Sequence, residues 1–577
     1  MRGRSMKTCE SEARASGLPY GARTAMDPIG LRLEYLDVET DVTCTVESDS
    51  FGPIADESVD LVARLDGEVL EVEAKVLRPI VLKGVKVVLR HAFSSDELVL
   101  MNGYQSWTDT REMPAWERMR GLRGVLPSVV RRWALDGGGD YSFVRYTGKR
   151  GEQHGFTYAT FRRGEGAVLV GSLDESHGFT LIHADANVGE VTVETEPPAR
   201  ELDEGERLVL GRYAICRGTL DTCYDRWFEL SGVHARSAKP IVGYTSWYRH
   251  YGDITEEKLM GDLTDIDTAG TPVVKSLGKW ADRLFQIDDG YCKVGDWLDV
   301  DKRDFPHGLA PLTERIRERG FMPGLWVAPY LCERDSRLFK ERPDWLLRDE
   351  AGEPVPTGSQ WSGGFALDTL NVDVRSYVLE VLQTMTREWG FSLLKVDFLF
   401  AACMRPHGGM NRGELMEDAM KLLRTGVGDD TLILGCGVPL GSAFGVVDYC
   451  RIGCDVGLDW DDVPYMRTLH RERVSTRLSL QNTRSRAPLD GRAFGNDPDV
   501  FFLRDDVNLT EAQREELLFA NANLGSVLLT SDDKDQWTRA MRKHYNAALR
   551  VFCRRFAPDM LDELNETLPT HGVEDGR

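Results

Sequence analysis

The sequence predicts a multidomain β plus α/β chain, an N-terminal β-sandwich followed by a (β/α)8 TIM barrel. Three observations predict it. Short Val- and Leu-rich runs bounded by Asp, Gly and Glu occupy the first 235 or so residues. After Pro240 the texture becomes strands alternating with amphipathic helices. Eight such βα units fit into about 320 residues, the scale of one barrel.

The elements follow in chain order. Residues 1–26 mix Arg, Ser, Gly and Glu without an apolar stretch, so they read as a disordered leader rather than a secretory signal, with Met6 or Met26 as alternative starts. Residues 27–235 form the sandwich, with strands at Leu61–Arg64, Val69–Val72, Val85–Leu89, Ala167–Gly171 and Arg207–Leu210. No helical periodicity persists there, and Ser172–His177 and Gly232–Val233 punctuate the pattern.

Residues 236–557 form the barrel. Its strands are expected at Val242–Trp247, Leu284–Asp288, Met322–Ala328, Leu393–Phe398, Thr431–Cys436, Asp448–Gly453, Arg492–Asn496 and Ser526–Thr530. Helices are expected at Leu309–Arg319, Val374–Trp389, Arg412–Thr425, Glu511–Asn523 and Trp537–Cys553. Residues 558–577 are a polar tail.

Composition narrows the function. The chain has 577 residues, 71 Lys+Arg and 93 Asp+Glu, so its net charge is −22. That balance argues against nucleic acid and anionic membranes as partners, because both need basic surface. No apolar run approaches the roughly 18 residues that span a bilayer. The eleven cysteines are scattered and contain no CxxC pair, so a metal at Cys450 and Cys454 is a poor reading. Buried thiols in a reducing cytoplasm account for them, and neither a metal nor an organic cofactor is implied.

In a barrel of this type the working residues lie at the C-terminal strand ends. Five ends here carry carboxylates: Asp288 with Asp289, Asp397, Asp455, Asp497 with Asp499, and Asp532 with Asp533. In the fourth strand, period two puts Lys395 and Asp397 on one face and Leu394, Val396 and Phe398 on the other. The apolar face turns to the helices, so the charged pair points inward as a nucleophile and a charge-tuning or substrate-binding neighbour. A buried ion pair with no further role is the bland alternative.

Asp455 ends the sixth strand and faces the cavity from another side. Two carboxyls across a polar cleft are what glycoside hydrolysis requires. Arg451 is either a structural partner or a donor orienting one of them. Trp247 and Trp326 stand at active-face positions suited to stacking on a sugar ring, whereas Trp107 and Trp361 read as structural. His250, His307, His407 and His470 form no catalytic or metal spacing and read as hydrogen-bonded or solvent-facing.

The runs Phe285-Gln286-Ile287-Asp288-Asp289-Gly290-Tyr291, Gly295-Asp296-Trp297, Phe305-Pro306-His307-Gly308-Leu309 and Pro323-Gly324-Leu325-Trp326 resemble the α-galactosidases of glycoside hydrolase family 36. So do Lys395-Val396-Asp397 and Arg451-Ile452-Gly453-Cys454-Asp455-Val456, while Asn496-Asp497-Pro498-Asp499 resembles family 27 as well. The resemblance implies a retaining exo-hydrolase of terminal α-linked galactose-type residues on oligosaccharides or glycoconjugates. It makes Asp397 the nucleophile and Asp455 the general acid/base. Asp288 and Asp289 would hold the 4-hydroxyl region, Lys395 the 3-hydroxyl region, and Trp247 and Trp326 would line the sugar pocket. Arg451 and Cys436 complete the expected substrate-binding set.

The sequence departs from that family in three places. The usual C-terminal β-domain has no counterpart in the pattern. Thr357-Gly358-Ser359-Gln360 lacks an expected Arg, and the fifth-strand loop reads Cys436-Gly437-Val438-Pro439-Leu440-Gly441. That loop lies near the sugar's C2 in the family, so α-N-acetylgalactosaminidase and α-galactosaminidase activities stay open beside α-galactosidase. The family often forms homo-oligomers in which an N-terminal loop serves a neighbour's site, and Asn102–Trp107 is the candidate loop. A Schiff-base lyase acting through Lys395 and a non-catalytic carbohydrate-binding protein are the alternatives from other classes.

Overall fold

The computed structural model describes residues 26–122, 138–236, 239–268, 280–462 and 471–556. Residues 1–25 of the expected leader, the tail and His470 lie outside the described residues, whereas Met26, expected in the leader, is buried in the N-terminal core.

The N-terminal part builds two antiparallel sheets. One has six strands, with Asp27–Asp37 and Ile80–Arg90 adjacent near its middle, and the other has eight, with Val69–Val76 paired to Arg207–Gly218. Strand Val69–Val76 shows why: every second residue (Leu70, Val72, Ala74, Val76) is buried and the alternate ones are less so. These residues meet Leu31, Leu33, Val87 and Val193 of the other sheet in one apolar core. The five expected strands all fall inside observed ones.

One expectation fails in this part. Leu220–Ser231 is an α-helix, started by a Thr219–Thr222 capping box and stopped at Gly232 in the left-handed conformation. It buries Cys223, Tyr224, Trp227 and Phe228 and lies on the eight-stranded sheet. Its apolar residues recur at i, i+1, i+4 and i+5, a helical face hidden inside an aromatic run.

The second part is a curled parallel sheet whose strands run Ile241–Thr245, Asp282–Ile287, Met322–Val327, Leu393–Val396, Leu432–Gly435, Tyr449–Arg451, Gly495–Asp497 with Val500–Phe501, and Val527–Thr530. Its two edges are the halves of the seventh strand: Gly495–Asp497 pairs with the sixth and Val500–Phe501 with the eighth. Pro498, which cannot donate to a ladder, and Asp499 at φ 75° separate the halves. The seventh strand therefore starts at Gly495 rather than Arg492. Strands such as Val527–Thr530 are buried on both faces, as crossover helices demand.

All five expected helices are present, at Ala310–Glu318, Val372–Gln383, Arg412–Val427, Glu511–Leu524 and Arg539–Phe556. Among the described residues no helix is long and apolar enough to cross a membrane. The ten described cysteines are free thiols.

Candidate active site

The second strand delivers Asp288 and Asp289 to the barrel mouth. Asp288 is almost fully buried and saturated with donors: Lys395 Nζ at 2.9 Å, Gln286 Nε2 at 2.7 Å, Thr245 Oγ1 at 3.4 Å and the Asp289 amide at 3.0 Å. Lys395 thus points inward, as period two requires. Burial opposes its charge, but Asp288 and Asp397 beside it outweigh burial and hold the ammonium well above its ordinary range. A lysine held so firmly protonated is a poor amine nucleophile, which removes the Schiff-base reading.

Asp289 is differently placed. Its Oδ2 accepts the Trp361 indole N–H at 2.7 Å. Burial pushes its carboxyl up to about 6; the indole opposes that shift and the Asp288 charge adds to it. Trp361 reaches it from a small antiparallel sheet, Leu331–Glu333, Pro356–Gly358 and Gly364–Ala366, inserted after the third strand. Glu333 accepts the Ser362 hydroxyl at 2.8 Å and anchors this turn, in which Trp361 has φ 52°. The structural role assigned to Trp361 from sequence is therefore too narrow.

Asp397 follows the end of the fourth strand and is 7 % exposed. Its Oδ2 accepts the Trp326 indole N–H at 3.1 Å and its Oδ1 accepts the Phe398 amide at 2.8 Å. The second bond exists because Phe398 adopts φ 53°, a costly conformation for a bulky residue that recurs at functional sites. The same twist overturns the period-two placement of Phe398. Its ring leaves the helix side and packs at 5.0 Å from Trp107 and 5.2 Å from Trp361.

Trp107 comes from the N-terminal part. Its indole N–H points to Cys436 Sγ at 3.3 Å, and its ring covers Gly437 and meets Phe400 edge-on. Burial raises the Cys436 thiol well above its ordinary range, and the adjacent Asp397 charge adds to the effect. The loop Asn102–Trp107 is stitched to its own chain's barrel. Arg486, fully buried, donates to Asn102 Oδ1 at 3.1 Å, to the Gln105 and Ser106 carbonyls, and to the Ile452 carbonyl at 3.0 Å. The candidate loop for a neighbouring subunit's site is packed against the barrel of its own chain.

Across the mouth, Arg451 at the end of the sixth strand bridges Asp455 at 2.7 Å and Asp499 at 3.0 Å. It is both a structural partner and a carboxylate-orienting donor. Asp499 also accepts the Tyr248 hydroxyl at 2.5 Å and the Val456 amide at 2.9 Å. Burial pushes Asp499 up to about 7, against Arg451 and with the charges of Asp455 and Asp497. Asp455 is the exposed carboxylate, with 36 % of its side chain accessible.

Trp247 does not end the first strand, which stops at Thr245. It opens the helical turn Trp247–His250 and stands edge-on to Tyr251 at 5.2 Å on the rim. Asp532 is spent on the Leu503 and Arg504 amides and the Trp537 indole. His250, His307 and His407 are hydrogen-bonded to Asp262, Glu256 and Asp368. Sequence reasoning missed Gln286, which period two places on the Asp288 face, and Tyr248, which carries no local signal.

Comparison with known proteins matches this geometry. Residues 226–406 match the melibiase family, a span that contains Asp288, Asp289, Trp326, Lys395 and Asp397. The α-galactosidase AgaA of Geobacillus stearothermophilus is 28 % identical over 166 residues, 29 % of this chain and 22 % of that protein. The A type blood α-D-galactosamine galactosaminidase of Flavonifractor plautii is 26 % identical over 205 residues, 32 % of this chain and 18 % of that protein. The aligned region therefore spans about a fifth of the length of these curated relatives. The Thermus thermophilus α-galactosidase solved with stachyose is 26 % identical, with a TM-score of 0.66 over 86 % of this chain and 99 % of that one. By sequence and fold, the chain is similar to α-galactosidases, and residues 226–406 match the melibiase family.

Proposed function

We propose that the protein is a retaining exo-α-galactosidase, in which the two N-terminal sheets form a β-sandwich that holds the Trp107 loop against the barrel. The observation that carries it is the contrast between a buried Asp397 with a hydrogen bond on each oxygen and an accessible Asp455 whose side chain, among the described residues, is held by Arg451. Asp397 attacks the anomeric carbon as the glycosidic bond breaks, and Asp455 gives its proton to the departing oxygen. Water then attacks the glycosyl-enzyme ester, Asp455 takes the water's proton, and Asp397 is released. Lys395, Asp288 and Asp289 supply the donors and acceptors that grip the sugar hydroxyls, and Trp326, Trp361 and Phe398 form the apolar wall beneath the ring.

The test is release of nitrophenol from the α-galactoside with NMR observation of the first-formed anomer. Turnover with retention, lost in Asp397→Asn, supports the reading, and inversion or silence rejects it. A second reading, α-galactosaminidase or α-N-acetylgalactosaminidase activity, is favoured by the fifth-strand loop. There Gly437 at φ 57° and Val438, after Cys436, contribute no charged side chain of their own to the wall. Parallel assays on the three nitrophenyl glycosides separate the readings.

A further inference from the structure

A second feature lies beside the sixth strand. A pocket of about 200 Å³ opens between N-terminal residues from Asp109 to Gly121 and the barrel residues Asp461, Arg471, Arg473, Arg477 and Gln481. Half of its lining is arginine: Arg111, Arg120, Arg471, Arg473 and Arg477. Three acids share it, and two of them are consumed. Glu117 takes Arg111 at 2.8 Å, and Asp461 takes Arg473 with two contacts of 3.1 Å; Asp109 lies 3.7 Å from Arg111.

The remaining cations are left over. Arg120 and Arg477 are exposed and make no ion pair among the described residues. Arg471 is buried and meets the neutral Tyr146 hydroxyl at 3.0 Å and the Asp109 carbonyl at 2.7 Å, with Asp140 and Glu472 behind it. Two exposed guanidiniums without an ion pair among the described residues, Arg120 and Arg477, beside the buried Arg471, are unexpected in a chain of net charge −22. Guanidinium forks match tetrahedral oxyanions in bidentate fashion. The pocket is smaller than the roughly 300–1,000 Å³ typical of drug-sized ligand sites, which suits a compact anion.

Its position bears on the reaction. The Ser475 amide donates to the Asp455 carbonyl at 3.0 Å, and the charges of Arg473 and Asp109 act on Cys454, the residue before Asp455. Arg477, Gln481, Arg484 and Pro488 follow one another along one face of helix Thr476–Arg486 and its exit. They continue the pocket into a cleft of about 560 Å³ that shares Arg111 and Gln481 with it.

We propose that this pocket binds a phosphate-class oxyanion. The anion is supplied either on the leaving group of the substrate or as free phosphate. The pocket stands independently of the galactosidase reading; only the leaving-group source rests on it.

The experiment titrates inorganic phosphate into the full chain by calorimetry, with the double variant Arg120→Gln/Arg477→Gln alongside. Both side chains are exposed, so the variant is expected to fold and to keep wild-type turnover of nitrophenyl α-galactoside. Saturable millimolar or tighter binding, weakened about tenfold or more in the variant, supports the site. Absence of saturable binding, or binding unchanged in the variant, overturns it. A second arm compares kcat/KM for an α-galactosyl disaccharide with and without a phosphate monoester on the leaving sugar. A preference for the phosphorylated substrate that the variant loses assigns the anion to the leaving group, whereas equal values in a phosphate-binding protein assign it to free phosphate. If no galactoside is turned over at all, the galactosidase reading falls and the calorimetric result stands by itself.

Discussion

The two sides of the barrel mouth hold their carboxylates in opposite ways. On the fourth-strand side, Asp397 is buried, receives an indole and an amide N–H, and is walled by Trp326, Phe398 and, through Cys436, Trp107. On the sixth-strand side, Asp455 is accessible and has one charged partner, Arg451, which it shares with Asp499. Under the proposed retaining mechanism the difference is a division of labour. A nucleophile gains from preorganisation, because a small displacement from the attacked carbon costs rate steeply. A group that must first give and then take a proton gains from access to water and freedom to move.

The sharpest way to break the comparison is to neutralise each side in turn. Asp397→Asn is expected to lower kcat by about 10⁴-fold or more, since no covalent intermediate can form. Asp455→Ala is expected to cost about 10²–10⁴-fold on substrates with sugar leaving groups, and much less with nitrophenolate, which leaves without a proton. Azide should restore the second variant and not the first. Equal losses with both leaving groups in Asp455→Ala would show that the two sides do not divide the work.

A smaller effect tests whether the wall from the N-terminal part is what makes the fourth-strand side rigid. Trp107→Ala removes edge-on contacts to Phe398 and Phe400 and uncovers Gly437. With aromatic pairs contributing about 0.5–1.5 kcal/mol each, kcat/KM should fall about tenfold, mostly through KM. Arg486→Met should give the same kinetic defect together with a lower melting temperature, because four acceptors lose a buried donor. A Trp107→Ala enzyme with unchanged KM would make Trp107 a packing residue only.

This asymmetry was half legible in the sequence, and the legible half is the local one. Lys395 and Asp397 declare themselves through period two, and Asp288, Asp289, Asp455 and Asp499 through their place after apolar strands. Phe398 does not, because a positive φ reverses the side that alternation assigns to it. Trp107 and Trp361 reach the site across 329 and 72 residues of chain to Cys436 and Asp289, distances over which no periodicity speaks. The helix Leu220–Ser231 was hidden for the opposite reason: its buried aromatics stand so close in sequence that no helical period shows within an otherwise β-rich part.

The remaining expected effect, on stability rather than rate, concerns where the sixth-strand side keeps its titration. Asp499, not exposed to solvent, is the group pushed up to about 7, chiefly by burial. The sign follows from linkage. Between its unfolded value near 3.9 and about 7, the folded chain binds a proton that the unfolded chain has released, so this group's contribution to stability is full below about pH 4 and is lost as pH rises through 7. Asp499→Asn keeps the hydrogen bonds to Tyr248 and Val456 within reach, and Asn tolerates the φ of 75° at this position. The variant should therefore lose less stability than wild type between pH 5 and pH 8, by an amount on the order of 2 kcal/mol in denaturant titrations. On the opposite side Asp289, pushed up to about 6, should show the same sign over the narrower window from about pH 4 to 6. Parallel stability curves for wild type and Asp499→Asn would place the proton elsewhere. They would also imply that Arg451 neutralises Asp499 as fully as it orients Asp455.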